Sequence, residues 1–194
     1  MKKIYHTIYE MRVFLTLWLS QSFSALGSAM TAYALVIWSY QQKGSALMTA
    51  MLMVCSYAPY VVCSLFAGAL SDRWNKKVTM LVCDSVAAVS TGVVWLLLET
   101  GQLAIWHIYA VNAVSGLMNT VQQPASEVAV TRILPKPFYQ KVGGLRYLSN
   151  AVNTILTPII TTAVLGVFGL RIVFCLDLGT FVVAFLTLLF WIPI

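Results

Sequence analysis

Two aspartates stand inside long apolar stretches of this 194-residue chain, Asp84 in VTMLVCDSVAAVS and Asp177 in RIVFCLDLGTFVV. A carboxylate in such surroundings can carry a proton, or it can hydrogen-bond a neighbouring helix near an interface; the sequence leaves both roles open. A second group of polar residues recurs three or four positions apart. One set is Asn112, Ser115, Asn119, Gln122 or Gln123, and Ser126; another is Arg146, Asn150, Asn153, Thr157 and Thr161; a lighter one is Gln21, Ser24, Ser28 and Thr31. At 3.6 residues per turn each set lies on one helix face. Such faces turn away from lipid, either to hold helices together through hydrogen bonds or to line a water-accessible cavity. Three near-continuous stripes favour the cavity, because packing needs only an occasional polar contact. The third group is the charged turn Gly68-Ala69-Leu70-Ser71-Asp72-Arg73-Trp74-Asn75-Lys76-Lys77, wedged between two long apolar segments.

Covalent chemistry finds no candidate. The chain has neither a nucleophile beside a base nor a metal set of the HExxH kind, so it reads as a non-enzyme without metal or cofactor. Cys55, Cys63, Cys83 and Cys175 lie in apolar segments with no CxxC and no nearby His. They read as small apolar residues and not as disulfide or zinc partners. His107 falls at a segment end, where an imidazole needs no special explanation.

The elements that must position these groups are overwhelmingly apolar. Hydrophobic residues make up 60% of the chain and charged ones 9%, against about a quarter charged in a soluble domain. The net charge of +6 does not point to nucleic acid, since the basic residues sit in the breaks between apolar runs. Six runs, over about 12–39, 46–70, 78–99, 104–130, 141–168 and 172–193, are each long enough for a helix to cross a bilayer. Residues 1–194 therefore read as one all-α, six-span transmembrane domain, with the lipid bilayer as its solvent. Lys2 and Lys3 precede the first run as in a signal peptide, but that run is longer than a signal core of about 7–15 residues. The stripes place the cavity between the first, fourth and fifth helices; the second, third and sixth are more uniformly apolar.

Orientation follows from the basic residues. With a cytoplasmic N-terminus, Lys2, Lys3, Arg12, Arg73, Lys76, Lys77, Arg132, Lys136, Lys141 and Arg146 lie inside, and only Lys43 and Arg171 outside. Basic loops resist translocation, so both termini are expected in the cytoplasm. Trp38, Tyr40, Trp106 and Tyr109 then fall at the outer interface, as an aromatic belt would.

The charged turn resembles the G-x-L-x-D-R-x-G-R-K motif that joins helices 2 and 3 of major facilitator superfamily transporters. Asn75 replaces the usual Gly and can tolerate a left-handed backbone; Lys76 replaces Arg, keeping the charge without the planar fork. The resemblance implies an inner gate built from Gly68, Leu70, Asp72, Arg73, Lys76 and Lys77. Gly68 lets two helices approach closely, and Asp72 sits against a helix N-terminus of an opposite half. Arg73, Lys76 and Lys77 pair with acids, Glu127 on the fourth helix being the candidate. Gly116 through Pro124-Ala125, Leu134-Pro135, Gly143-Gly144-Leu145 and Asp177 further resemble the macrolide-efflux-like branch of drug antiporters. In the fifth helix only Pro158 of the antiporter pattern is kept; the fourth has Gln122 and Gln123 in place of an Arg, and the first has no acid within its span.

The resemblance implies a plasma-membrane protein that is the N-terminal six-helix half of a twelve-helix secondary transporter. That machine would export a small amphipathic, cationic or drug-like molecule by alternating access, as a proton-driven antiporter. Gln21, Ser24, Asn112, Asn119, Gln122, Asn150, Asn153 and Thr157 would line the substrate cavity, with Asp84 and Asp177 as possible proton sites. The exposed stripes need a cover: a missing C-terminal half, a separate chain, or a second copy in a homodimer. A gene fragment or an N-terminal half is the expectation, since the chain stops where a central loop would begin. The competing expectation is a non-transporting six-helix membrane subunit that kept the fold.

Overall fold

The computed structural model describes residues 2–133 and 138–191, and within them the side chains of residues 12–42, 44–65, 74–131 and 138–191. Six α-helices make up the described residues: α1 Lys2–Lys43, α2 Ala46–Arg73, α3 Lys76–Glu99, α4 Ile105–Ile133, α5 Tyr139–Phe168 and α6 Leu170–Phe190. The six expected helices are all present in the expected order. The first differs in extent. α1 has 42 residues, about 63 Å of helix, roughly twice the hydrocarbon thickness. Among the residues whose side chains are described, its stretch Arg12–Gln42 is long and apolar enough to cross a membrane.

Local chemistry sets the breaks. Gly44, at φ 61°, closes α1 with its N–H donating to Tyr40 O at 2.7 Å, and the Ser45 hydroxyl caps α2. Only Trp74 and Asn75 separate α2 from α3. Asn75 is extended, at φ −65° and ψ 118°, and not left-handed as the sequence allowed. Its Oδ1 accepts from Lys77 N at 3.0 Å and Val78 N at 3.3 Å. A short amide at this position satisfies donors that the first helical turn leaves open. The substitution at the motif's usual Gly thus makes a helix cap. Gly169 alone joins α5 to α6, at φ 77° and ψ 179°, a conformation almost confined to glycine.

Two close helix approaches fix the packing. A Cβ on Gly116 of α4 would collide with the Ser56 carbonyl of α2, and one on Gly27 of α1 would collide with Thr180 Oγ1 of α6. Small residues at crossings are how apolar helices pack without a hydrophobic drive between them. Buried clusters close both ends of the bundle. One joins Leu17, Met80, Ala125, Ala129 and Leu188; the other joins Leu35, Leu52, Val94, Ile108 and Phe174.

The outside is apolar. Leu65, Val167 and Phe190 are among many large side chains left exposed, more than a water-facing surface carries. α1, α2, α3, α5 and α6 contain stretches long and apolar enough to cross a membrane. α4 does not reach that hydropathy, because Asn112, Ser115, Asn119, Gln122, Gln123 and Ser126 all lie along it.

The close approach at Gly116 has a stability consequence. Gly116→Ala should lower the thermal unfolding midpoint in detergent, the overpacking costing about 1–3 kcal/mol. Gly92→Ala, whose added Cβ meets nothing within 4 Å, should leave the midpoint unchanged or raise it. Equal midpoints for the two variants would contradict the α2–α4 contact.

Candidate functional site

A trough of about 660 Å³ runs along the bundle, lined on α1 from Phe14 to Leu35 and on α4 from Val111 to Val130. That volume suits a small organic molecule. Gln21, Ser24, Asn112, Asn119, Gln122, Asn150 and Asn153 all line it, so the three stripes converge on one space. Thr157 does not line the trough. It lines a smaller adjacent hollow between α1 and α5, because by that position the α5 face has turned past the trough wall. Thr161, the last residue of that stripe, is fully buried.

The trough draws on more helices than the stripes alone indicated. Asp84, Ala87, Ala88 and Thr91 of α3 line it, as do Asp177 and Phe181 of α6. The spacing of the α3 set puts it on a single face, a short stripe of small and polar residues. That pattern was legible but faint, since alanines carry no polar signal.

Asp84 is held between two glutamines. Gln122 Nε2 donates to Oδ1 at 2.6 Å and Gln21 Nε2 donates to Oδ2 at 3.2 Å. The carboxylate thus joins α3 to both α1 and α4, and it is 8% exposed. Asp177 makes a different node. Ser28 Oγ donates to its Oδ1 at 2.9 Å and Thr91 Oγ1 to its Oδ2 at 2.9 Å, joining α6 to α1 and α3. Both acids line the trough and hydrogen-bond across helices, as the structural alternative in the sequence allowed. Amide and hydroxyl donors offset a buried charge only in part. A proton or a cationic group arriving in the trough would complete the neutralisation.

Among the described residues, ion pairs join Arg146 to Glu127 at 3.6 Å and Arg171 to Glu99 at 2.7 Å. Neither trough aspartate takes part in them. Arg146 also lines the trough, and its Nη2 donates to Ser126 Oγ at 3.2 Å. Among the described residues it is the one Lys or Arg of the lining, and it pairs with an acid on the neighbouring helix. A serine pair, Ser22 and Ser149 at 2.8 Å, ties α1 to α5, and Tyr60 donates to Gln123 Oε1 at 3.1 Å between α2 and α4.

The gate residues are only partly in view. The side chains of Gly68, Leu70, Asp72 and Arg73 lie outside the described residues. Lys76 is buried, with Nζ donating to the Trp74 carbonyl at 3.0 Å. Lys77 is half-buried. Glu127, expected opposite the gate cations, is half-exposed and meets Arg146. At the other end, Trp95 Nε1 donates to Glu99 at 3.1 Å, and His107 Nδ1 accepts from Ala104 N at 3.1 Å, which orders the start of α4.

A water-filled trough is checked by thiol labelling. With the four native cysteines replaced, Asn119→Cys and Asn153→Cys should react with a charged maleimide, whereas Thr161→Cys should react at least tenfold more slowly. Inert cysteines at both asparagines would remove the water-accessible trough.

Comparison with known proteins follows the same lines. The family model for the Major Facilitator Superfamily matches residues 17–194. Macrolide efflux protein A of Streptococcus pyogenes is 23% identical over 174 residues, 90% of this chain and 43% of that protein. The uncharacterized MFS-type transporter YfiS of Bacillus subtilis is 23% identical over 180 residues, 92% of this chain and 42% of its own length. YqjV of the same organism, also an uncharacterized MFS-type transporter, is 25% identical over 142 residues, 71% of this chain and 33% of that protein. The chain thus spans less than half the length of these relatives. A trough built from converging polar stripes, apolar membrane-length helices and a family match over nearly every residue lead to one conclusion: this is an integral membrane protein belonging to the major facilitator superfamily.

Proposed function

We propose that the chain works as the N-terminal six-helix half of a secondary active transporter that exports a small amphipathic cation by alternating access. The observation that carries this reading is the Asp84 carboxylate. It lies in a trough of small-molecule size, receives amide N–H groups from Gln21 and Gln122, and takes part in no ion pair among the described residues. Asp177 adds a second acid to the same lining, while Arg146 is already matched by Glu127. The balance of the trough is therefore negative. An organic cation completes the hydrogen-bonded carboxylate, and its apolar body rests on Phe14, Leu17, Trp18 and Met80. The macrolide efflux relatives are in keeping with such a substrate.

In this reading all six helices cross the membrane. α4 crosses because its polar face looks into the trough and not at lipid, so mean hydropathy understates it. The distribution of Lys and Arg puts both termini in the cytoplasm of a plasma-membrane protein. The trough faces a second six-helix body, supplied by the rest of a longer chain, by a separate chain, or by a second copy. Asp72 with Arg73, Lys76 and Lys77 forms the inner gate, and a proton gradient provides the drive, Asp84 exchanging its proton for the cation.

The test uses proteoliposomes of the assembled transporter, this chain together with the half that covers its trough. Asp84→Asn should reduce proton-driven efflux of tetraphenylphosphonium at least tenfold at unchanged protein level, and Asp84→Glu should retain part of it. Full activity in Asp84→Asn would sink the assignment of Asp84. Asp72→Asn should likewise abolish most flux while leaving equilibrium binding of the cation within about twofold. If flux stays at the wild-type level, the gate assignment is wrong.

A further inference from the structure

The two trough acids are set apart by a distance that two helices fix independently. On α1, Gln21 donates to Asp84 and Ser28 donates to Asp177. On α3, Asp84 itself and Thr91, which donates to Asp177, repeat the same step. Each pair is seven residues apart, two helical turns or about 10.5 Å along the axis. Between the two levels the lining of α1 and α3 is short-chained, with Ser24, Ala25, Ala87 and Ala88, so these helices put nothing bulky between the acids.

Charge along the trough is ordered as well. Arg146 is held by Ser126 of α4, one turn past the Gln122 that holds Asp84. In that direction Ala125 and Ala129 cluster with Met80, which precedes Asp84 on α3, whereas Thr91 follows it. Arg146 therefore stands beyond Asp84 on the side away from Asp177, and it pairs with Glu127. Among the described residues neither trough acid takes part in an ion pair. Two carboxylates withdrawn from water at this separation carry more negative charge than one organic cation neutralises.

We infer that the trough takes an elongated dication, with one positive group at Asp84 and the other two helical turns away beside Asp177. The inference rests on the transport reading above and specifies its substrate. From Asp84 the linker runs away from Met80 and along Ser24, Ala25, Ala87 and Ala88, whose short side chains leave it room. Asp177 acts as a fixed charge. Ser28 and Thr91 line the trough with it, and the second positive group lies against that node without displacing their hydrogen bonds. A shorter dication reaches one acid only, and a longer one overshoots the second.

The test measures binding of bis(trimethylammonium) alkanes with four, eight and twelve methylenes to the full chain in phosphatidylcholine nanodiscs. Equilibrium dialysis gives each affinity after correction for empty nanodiscs, and each is divided by that of the single-headed alkyltrimethylammonium of equal length. The division removes the contribution of linker hydrophobicity. The ratio should peak at eight methylenes, at about tenfold or more in favour of the dication. Asp177→Asn, which keeps the shape and an acceptor for the two hydroxyls, should flatten the ratio at every length, since the second ammonium then loses water with nothing to offset it. The wild-type series alone decides the outcome if that variant fails to fold. A ratio without a maximum overturns the inference. So does a maximum that survives Asp177→Asn, the result expected if Asp177 only ties helices together. The single-headed probe on Asp84→Asn reads the cation site separately: undiminished binding there overturns the cation reading, while the length series still reports on the second acid.

Discussion

A polar group withdrawn from water must be given a partner, and in this chain the demand is heaviest at two carboxylates. Asp84 and Asp177 lie on α3 and α6, helices otherwise made for lipid, and each needs donors that its own helix does not supply. Gln21 and Ser28 of α1 provide one donor to each. α1 is consequently the common strut, tied to α3 through Asp84, to α6 through Asp177, and to α5 through Ser22 and Ser149. Hydrogen bonds to charged groups contribute about 1.5–3 kcal/mol each when their loss would strand a buried charge. Lipid offers no substitute donors, so these ties fix which face of each helix turns inward.

The apolar packing is organised around the same nodes. Gly27 brings α1 against α6 beside Asp177, its Cβ position lying 3.0 Å from the Asp177 Cα. A larger residue there would separate Ser28 from the carboxylate. Gly116 does the same for α4 and α2, the pair that carries Gln123 and Tyr60. With close crossings at these glycines and buried clusters at both ends, the middle of the bundle remains as the trough. Polar side chains hydrogen-bonded across helices line this space, and apolar clusters lie toward both ends of the bundle.

The two acids differ in what surrounds them, and that difference separates their parts in the proposed transport. Asp177 sits between short hydroxyls on two helices packed at a glycine, a setting that resists rearrangement. Asp84 is held by two long amides, whose rotamers can change without moving a helix. A site that must take and release a proton or a cation needs the second kind of surroundings. The first kind ties α1, α3 and α6 to one another. Arg146 pairs with Glu127 at 3.6 Å and donates to Ser126, so it has partners of its own apart from the two acids.

How much of this was legible in the sequence depends on the physical range of each effect. Helix number, order and most boundaries follow from hydropathy and local capping, which are properties of neighbouring residues. The stripes on the first, fourth and fifth helices likewise follow from a 3.6-residue period, and they do converge on one trough. The charged turn and the loosely matched stretches after it pointed to the family whose model matches residues 17–194. The partners of Asp84 and Asp177 were not legible, since they lie 38 to 149 residues away along the chain. Nor was the diversion of Thr157 from trough to side hollow, which depends on the path of α5 across α1. The pairing of Glu127 with Arg146 and the capping role of Asn75 were settled by geometry too, because charge and residue type allow several partners. Sequence alone determined which residues must avoid lipid; the tertiary structure decided which of them meet, because hydrogen bonds act over about 3 Å and only packing brings distant segments that close.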